Sequence, residues 1–115
     1  MKKARPHKLP GATYSFKTGC GTMYVTVNED EENVFEVFAT MGKAGGCASS
    51  QIESIGRLIS LSLRSGVEPK QIVRQLSGIS CHQYIKADEN SAMSCADAIA
   101  KIIKFHLEQK EVSHG

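Results

Sequence analysis

Apolar and polar residues alternate with period two through residues 12–41, and apolar positions then recur at helical spacing in three later segments, the last ending near residue 109. In the first part, Tyr14 and Phe16 alternate with Ser15 and Lys17. Met23, Val25 and Val27 alternate with Tyr24 and Thr26, and Phe35, Val37 and Ala39 form a third such run. Period-two alternation rich in aromatic and β-branched residues predicts half-buried strands. Thr18-Gly19-Cys20-Gly21 supplies a tight turn after the first strand, and the acidic run Asn28 to Asn33 supplies a polar turn after the second. Strands joined by turns this short predict an antiparallel meander with one wet face.

Gly42 to Gly46 breaks the alternation, and a helix is expected from Ser49 or Ser50. Ser50 and Glu53 have capping-box spacing. Ile52, Ile55, Leu58, Ile59, Leu61 and Leu63 cover a wide arc, which predicts a largely buried helix. Ser65-Gly66 ends it, with glycine suited to the left-handed cap. Pro69 fits the first turn of a second helix, whose apolar face is Ile72, Val73 and Leu76 and which stops at Gly78. Residues 82–92 read as an irregular loop. A last helix is expected from about Cys95 to Gln109, with Ser94 as N-cap and Asp97 three residues on. Its core stripe is Ala98, Ile99, Ile102, Ile103 and Leu107. The expected class is α+β: a three-stranded antiparallel meander followed by three helices packed on one face.

Composition changes this picture little. With 115 residues, 41% hydrophobic and 23% charged, the chain fits one soluble domain able to bury its own core. Residues 1–10 are expected as a basic, solvated arm or linker, 11–109 as the domain and 110–115 as a frayed tail. Lys2, Lys3, Arg5 and Lys8 cluster in the arm, but a formal net charge of +2 is too weak to argue for nucleic acid. The start lacks the apolar stretch of a signal peptide, and the apolar runs are too short to span a bilayer. A cytoplasmic location is the expectation.

Four cysteines stand singly: Cys20, Cys47, Cys81 and Cys95, separated by 27, 34 and 14 positions. A reducing compartment favours free thiols, metal binding or redox cycling over permanent disulfides; were they paired, three connectivities exist. No C-x-x-C occurs, so spacing alone is a weak metal signal. Local context adds more. Cys47 and Cys95 fall at expected helix N-termini, where free N–H groups and the dipole favour a thiolate. Cys20 lies in a glycine-flanked turn and Cys81 just past a helix end. Four thiolates from four elements could close a tetrahedral zinc site, a staple rather than a catalyst, because four protein ligands leave no open position. His82 could replace one of them. From the residues alone, buried free cysteines, structural zinc, a redox pair or nucleophile, and an iron–sulfur cluster all stay open, in that order.

Other chemistry is sparse. Gly42-Lys43-Ala44-Gly45-Gly46 before a helix could cradle an anion or a partner's backbone through Lys43, Gly45 and Gly46. It has neither the P-loop nor the dinucleotide glycine order, and a tight connection is the blander reading. Glu29 to Glu32 reads as a solvated turn. His7, His106 and His114 read as surface or helix-face residues rather than ligands. No Ser-His-Asp order and no H-E-x-x-H occurs.

Several segments together resemble the TSCPD domain, known from the C-terminal end of adenosylcobalamin-dependent (class II) ribonucleotide reductases and from short stand-alone proteins. They include Leu9-Pro10-Gly11, Thr18-Gly19-Cys20-Gly21, Tyr24-Val25-Thr26-Val27-Asn28-Glu29-Asp30 and Phe35-Glu36-Val37-Phe38. Further on come Gly42-Lys43-Ala44-Gly45-Gly46-Cys47-Ala48, Ile55-Gly56-Arg57-Leu58-Ile59-Ser60-Leu61 and Leu63-Arg64-Ser65-Gly66-Val67. Leu76-Ser77-Gly78-Ile79-Ser80-Cys81 and Ser94-Cys95-Ala96-Asp97-Ala98-Ile99 complete the set. All four cysteines fall at the family's motif positions. Ala96 stands where the family's eponymous motif has proline, and residues 82–92 match poorly.

The resemblance implies an accessory role linked to a reductase and to DNA synthesis, with the reductase catalytic domain or subunit as partner. It also favours Cys20, Cys47, Cys81 and Cys95 as one zinc site. Ribonucleoside-diphosphate reduction and adenosylcobalamin binding belong to the large barrel of the parent reductase, which this sequence lacks, so no catalytic residue is assigned here. The competing expectations are a thiol relay carrying electrons to a reductase active site, and a nucleotide- or nucleic-acid-binding module. The wide apolar arc of the first helix would also allow a homodimer.

Overall fold

The computed structural model describes residues 3–18, 21–31, 33–42, 46–79 and 94–114; of 46–48 and 110–114 it describes the backbone. Strands β1 (Gly11–Thr18), β2 (Gly21–Glu29) and β3 (Val34–Met41) are followed by helices α1 (Gly46–Arg64), α2 (Pro69–Leu76) and α3 (Cys95–His114). The strands form one antiparallel sheet in the order β1-β2-β3. This is the α+β meander with three helices that the alternation predicts.

Alternation decides which face is covered. Tyr14, Val25 and Ala39 lie in register, as do Phe16, Met23 and Met41, and Ala12, Val27 and Val37. Met23, Val25, Val27 and Val37 on this face are fully buried under the helices. Full burial of each is worth about 1.5–3 kcal/mol relative to exposure. Ile52, Ile59 and Leu63 of α1 and Ala98, Ile99, Ile102 and Ile103 of α3 complete the core. On the other face Tyr24 is 43% and Phe38 50% exposed. Thr13 and Thr26 hydroxyls hydrogen-bond there at 2.8 Å.

Three details differ from the sequence expectation. First, α1 starts at Gly46, so Ser50 sits inside the helix, where its carbonyl accepts from the Ser54 hydroxyl, and no capping box forms. Second, the buried stripe of α1 is narrower than the apolar arc. It consists of Ile52, Gly56, Ile59 and Leu63, while Leu58 and Leu61 face outward. One helix resting along β3 can bury only one stripe. Third, the arm is tied down. The Lys3 N–H donates to the Arg64 carbonyl at 2.9 Å, and the Arg64 guanidinium donates back to the Lys3 carbonyl.

The ends of the helices follow their residues. Gly66 has φ +100° and closes α1 in a Schellman pair: Val67 N–H donates to Ser62 and Gly66 N–H to Leu63. Pro69 occupies the first turn of α2. At α3 the Asp97 N–H donates to the Ser94 hydroxyl at 3.0 Å, the cap expected from the sequence. The helix runs on to His114. The loop expected at 82–92 lies outside the described residues.

Candidate functional site

Thr18, Gly42, Gly78 and Cys95, described residues within five positions of a cysteine, make contacts around the β1–β2 turn and the start of α3. Register pairs Thr18 with Gly21, so only residues 19 and 20 connect β1 to β2. Gly21 takes φ +132°, where an added Cβ would be strained and would also sit 3.3 Å from Met41 Cε. The Thr18 hydroxyl donates to the Gly21 carbonyl at 2.8 Å. The Gly42 N–H donates to the Thr22 carbonyl at 2.9 Å, which brings the end of β3 beside this turn. Helix α1 begins four residues later, with Cys47 in its first turn.

Cys95 opens α3 and is half-buried, with its Sγ 3.8 Å from Thr18 Oγ1. Two residues on, the carboxylate of buried Asp97 accepts the Gly78 N–H at 2.8 Å, so the end of α2 is held against the start of α3. Cys81 follows Gly78 by three residues, a span of at most about 11 Å. Cys20 and Cys81 themselves lie outside the described residues, and so do Lys43 and Gly45 of the candidate anion loop. Gly46 is the first residue of α1. Among the described residues no three histidine, cysteine or acidic side chains cluster closely enough to hold a metal. Cys95 is the one cysteine whose side chain is among them.

A second cluster sits near the other end of the strands, roughly 16 Å further along α3. His106 is 8% exposed. Its Nδ1 lies 2.7 Å from the Tyr14 hydroxyl and its Nε2 lies 3.0 Å from Glu29 Oε2. An ionised carboxylate can only accept, so Nε2 carries the hydrogen toward Glu29, and in the neutral ring Nδ1 then accepts from the Tyr14 hydroxyl. Burial, and then the Glu29 charge, push the Tyr14 pKa above its ordinary value, which keeps that phenol a donor.

Beside this cluster, on the opposite face of the sheet, Glu36 is buried. Arg5 donates to both of its oxygens at 2.9 Å, and Asn28 Nδ2 donates to Oε2 at 2.7 Å. Burial pushes the Glu36 carboxyl up. Hydrogen bonds from Arg5 and Asn28, with the nearby charges of Arg5 and Arg64, outweigh it and leave the pKa below the ordinary value.

The TSCPD domain family matches residues 1–107, nearly the whole chain. The chain belongs to that family. Comparison with curated proteins gave no match, and comparison with solved structures gave none. No helix among the described residues is long and apolar enough to cross a membrane.

In this TSCPD domain the residue that the sequence reading placed least well is His106. It reads as a helix-face residue, yet it is buried between Tyr14 and Glu29. The signal was available. His106 follows Ile99, Ile102 and Ile103 at core spacing, and a polar residue at a core position demands partners. Glu29 is likewise engaged with His106 rather than simply solvated. Asp30 is also occupied: it accepts the Asn33 N–H at 2.8 Å and meets Lys3 at 3.3 Å.

Proposed function

We propose that this TSCPD domain is an accessory module for a reductase of the adenosylcobalamin-dependent type, and that Cys20, Cys47, Cys81 and Cys95 hold one zinc ion. The observation carrying the zinc reading is the placement of the four flanking segments. Cys95 touches Thr18 two residues before Cys20, the end of α2 is tied to Asp97 through Gly78, three residues before Cys81, and Gly42 at the end of β3, five residues before Cys47, is bonded to Thr22 beside the same hairpin. The donor set fits the ion: four soft thiolates suit zinc in tetrahedral coordination. A site closed by four protein ligands supplies cross-linking rather than Lewis-acid chemistry. It would fasten the first hairpin to the starts of α1 and α3 and to the segment after α2. The reductase link rests on family membership and names the class of partner, a catalytic domain or subunit.

Elemental analysis of protein purified without chelator tests this. The expected result is about one zinc per chain, with the ion lost in each single Cys→Ser variant. Fully folded protein without metal would sink the zinc reading. Co-purification with a reductase subunit tests the partner separately.

A further inference from the structure

The two edges of the sheet are unequal. Glu29 N–H donates to the Pro10 carbonyl, and register continues from there. Bonded pairs alternate in an antiparallel ladder, so Ala12, Tyr14, Phe16 and Thr18 exchange with β2. Gly11, Thr13, Ser15 and Lys17 turn their N–H and C=O groups outward, and none of the described residues bonds these groups. The β3 edge is treated differently. There the Ser60 hydroxyl of α1 accepts the Val37 N–H at 3.0 Å and donates to the Val37 carbonyl at 2.9 Å.

A cleft of about 530 Å³ runs along the open edge, lined by Tyr14, Ser15 and Phe16 of β1 and by Lys101, Phe105 and Glu108 of α3, among others. Phe105 is 48% exposed and meets the Tyr14 ring edge-on at 5.9 Å. On the strand the cleft is centred at Ser15. On the helix its lining runs from Lys101 to Glu108, which centres it between Lys104 and Phe105.

We propose that this edge pairs with the same edge of a second copy, β1 against β1 about a two-fold axis at Ser15, giving a six-stranded sheet. Ser15 then faces Ser15 of the other copy, and Thr13 faces Lys17, so both of these pairings bring outward-pointing backbone groups together. About six new backbone hydrogen bonds result. No like charges meet on the strands. Tyr14 lies opposite Phe16 on the covered face, a pairing of aromatic side chains. The same axis passes between Lys104 and Phe105, so the two α3 helices meet antiparallel there. Lys101, which leans on Asp97 at 3.7 Å, comes opposite Glu108 of the other copy, and Lys104 comes beside Phe105, a cation near an aromatic face. The surface is thus complementary to itself in hydrogen bonding, apolar area and charge, as a two-fold interface must be.

Sedimentation equilibrium of the 115-residue chain, from about 1 µM to about 500 µM, tests the proposal. A reversible monomer–dimer equilibrium is expected. Ser15→Pro removes an N–H that the sheet does not use and introduces the residue that blunts strand edges. It should raise the dimer Kd at least about tenfold while keeping the monomer's circular dichroism. Glu108→Lys should weaken the dimer by a smaller factor. Hydrogen exchange of the unmodified chain gives a readout independent of any variant: the Thr13, Ser15 and Lys17 amides should slow as concentration rises. A chain that stays monomeric throughout overturns the proposal. So does a dimer whose Kd is unchanged in Ser15→Pro, or one that leaves those three amides unprotected, since either places the contact elsewhere, for example on the Leu58–Leu61 face of α1.

Discussion

Helix α3 meets the sheet near both ends of the strands, and the two attachments use different chemistry. Near Glu29 the attachment is polar and visible side chain by side chain: Tyr14, His106 and Glu29 form a continuous hydrogen-bonded chain across β1, α3 and β2. Near Thr18 a weak contact joins β1 to α3, Cys95 Sγ to Thr18 Oγ1 at 3.8 Å, and the zinc site we propose would add its links there. A hydrogen-bonded node needs only its three residues in register. A four-thiolate site needs four separate segments delivered to one place, and it holds all of them at once. If the proposed zinc site forms, the end where many chain segments arrive is closed by a stronger, many-armed link than the end where three meet.

If so, breaking the two ends should have unequal consequences. The largest effect is expected at the cysteine end. Chelation, or Cys95→Ser, should cost at least about 3 kcal/mol of unfolding free energy, because a structural metal site contributes folding free energy outright. Urea unfolding with and without chelator measures it. His106→Ala comes next. It removes the hydrogen bonds that His106 makes with the Tyr14 hydroxyl and Glu29, a loss of about 2–3 kcal/mol that chelator should neither mimic nor change. A double variant tests independence: the two losses should add if the ends act separately.

Glu36 gives a third handle, through pH. Its folded pKa is below the ordinary value, so its contribution is fully present above the unfolded carboxylate pKa of about 4 and is lost as pH falls through the folded value. Thermal melts below about pH 4 should show this decline, and Arg5→Ala should flatten it. The smallest effect is expected at Gly66, which belongs to neither end. Its φ is +100° and no atom lies within 4 Å of an added Cβ, so Gly66→Ala should cost about 1 kcal/mol through backbone strain alone.

The strands and helix stripes were legible in the sequence because each depends on local periodicity. Met23, Val25 and Val27 face the helices as their alternation predicts, and Ala98, Ile99, Ile102 and Ile103 fill the core as theirs does. The Ser94 cap, the Gly66 stop and the Pro69 start are local too. What escaped was pairing over long range. His106 meets Tyr14 across 92 positions and Glu29 across 77, and no local pattern specifies a partner that far away. The same holds for Arg5 and Glu36, which turn an expected free arm into part of the sheet's second face. The start of α1 was misplaced because Ser50 and Glu53 have capping spacing, whereas the helix already begins at Gly46. Leu58 and Leu61 read as core because hydrophobicity marks what could be buried; α1 has one sheet edge to rest on and buries a single stripe. The cysteines are conspicuous in sequence by type and surroundings, but the convergence we propose for them depends on where β1, β3, α2 and α3 end in space.

Cobalt(II) substitution tests the convergence of the four thiols most directly. Metal-free protein titrated with cobalt(II) should saturate at one ion per chain. It should then show the sulfur-to-metal charge-transfer bands and the intense visible d–d bands of a tetrahedral tetrathiolate site, weakened by replacing any one of Cys20, Cys47, Cys81 or Cys95 with serine. A folded chain that binds no cobalt, or binds it with the weak spectrum of an octahedral oxygen-ligand site, would contradict the account.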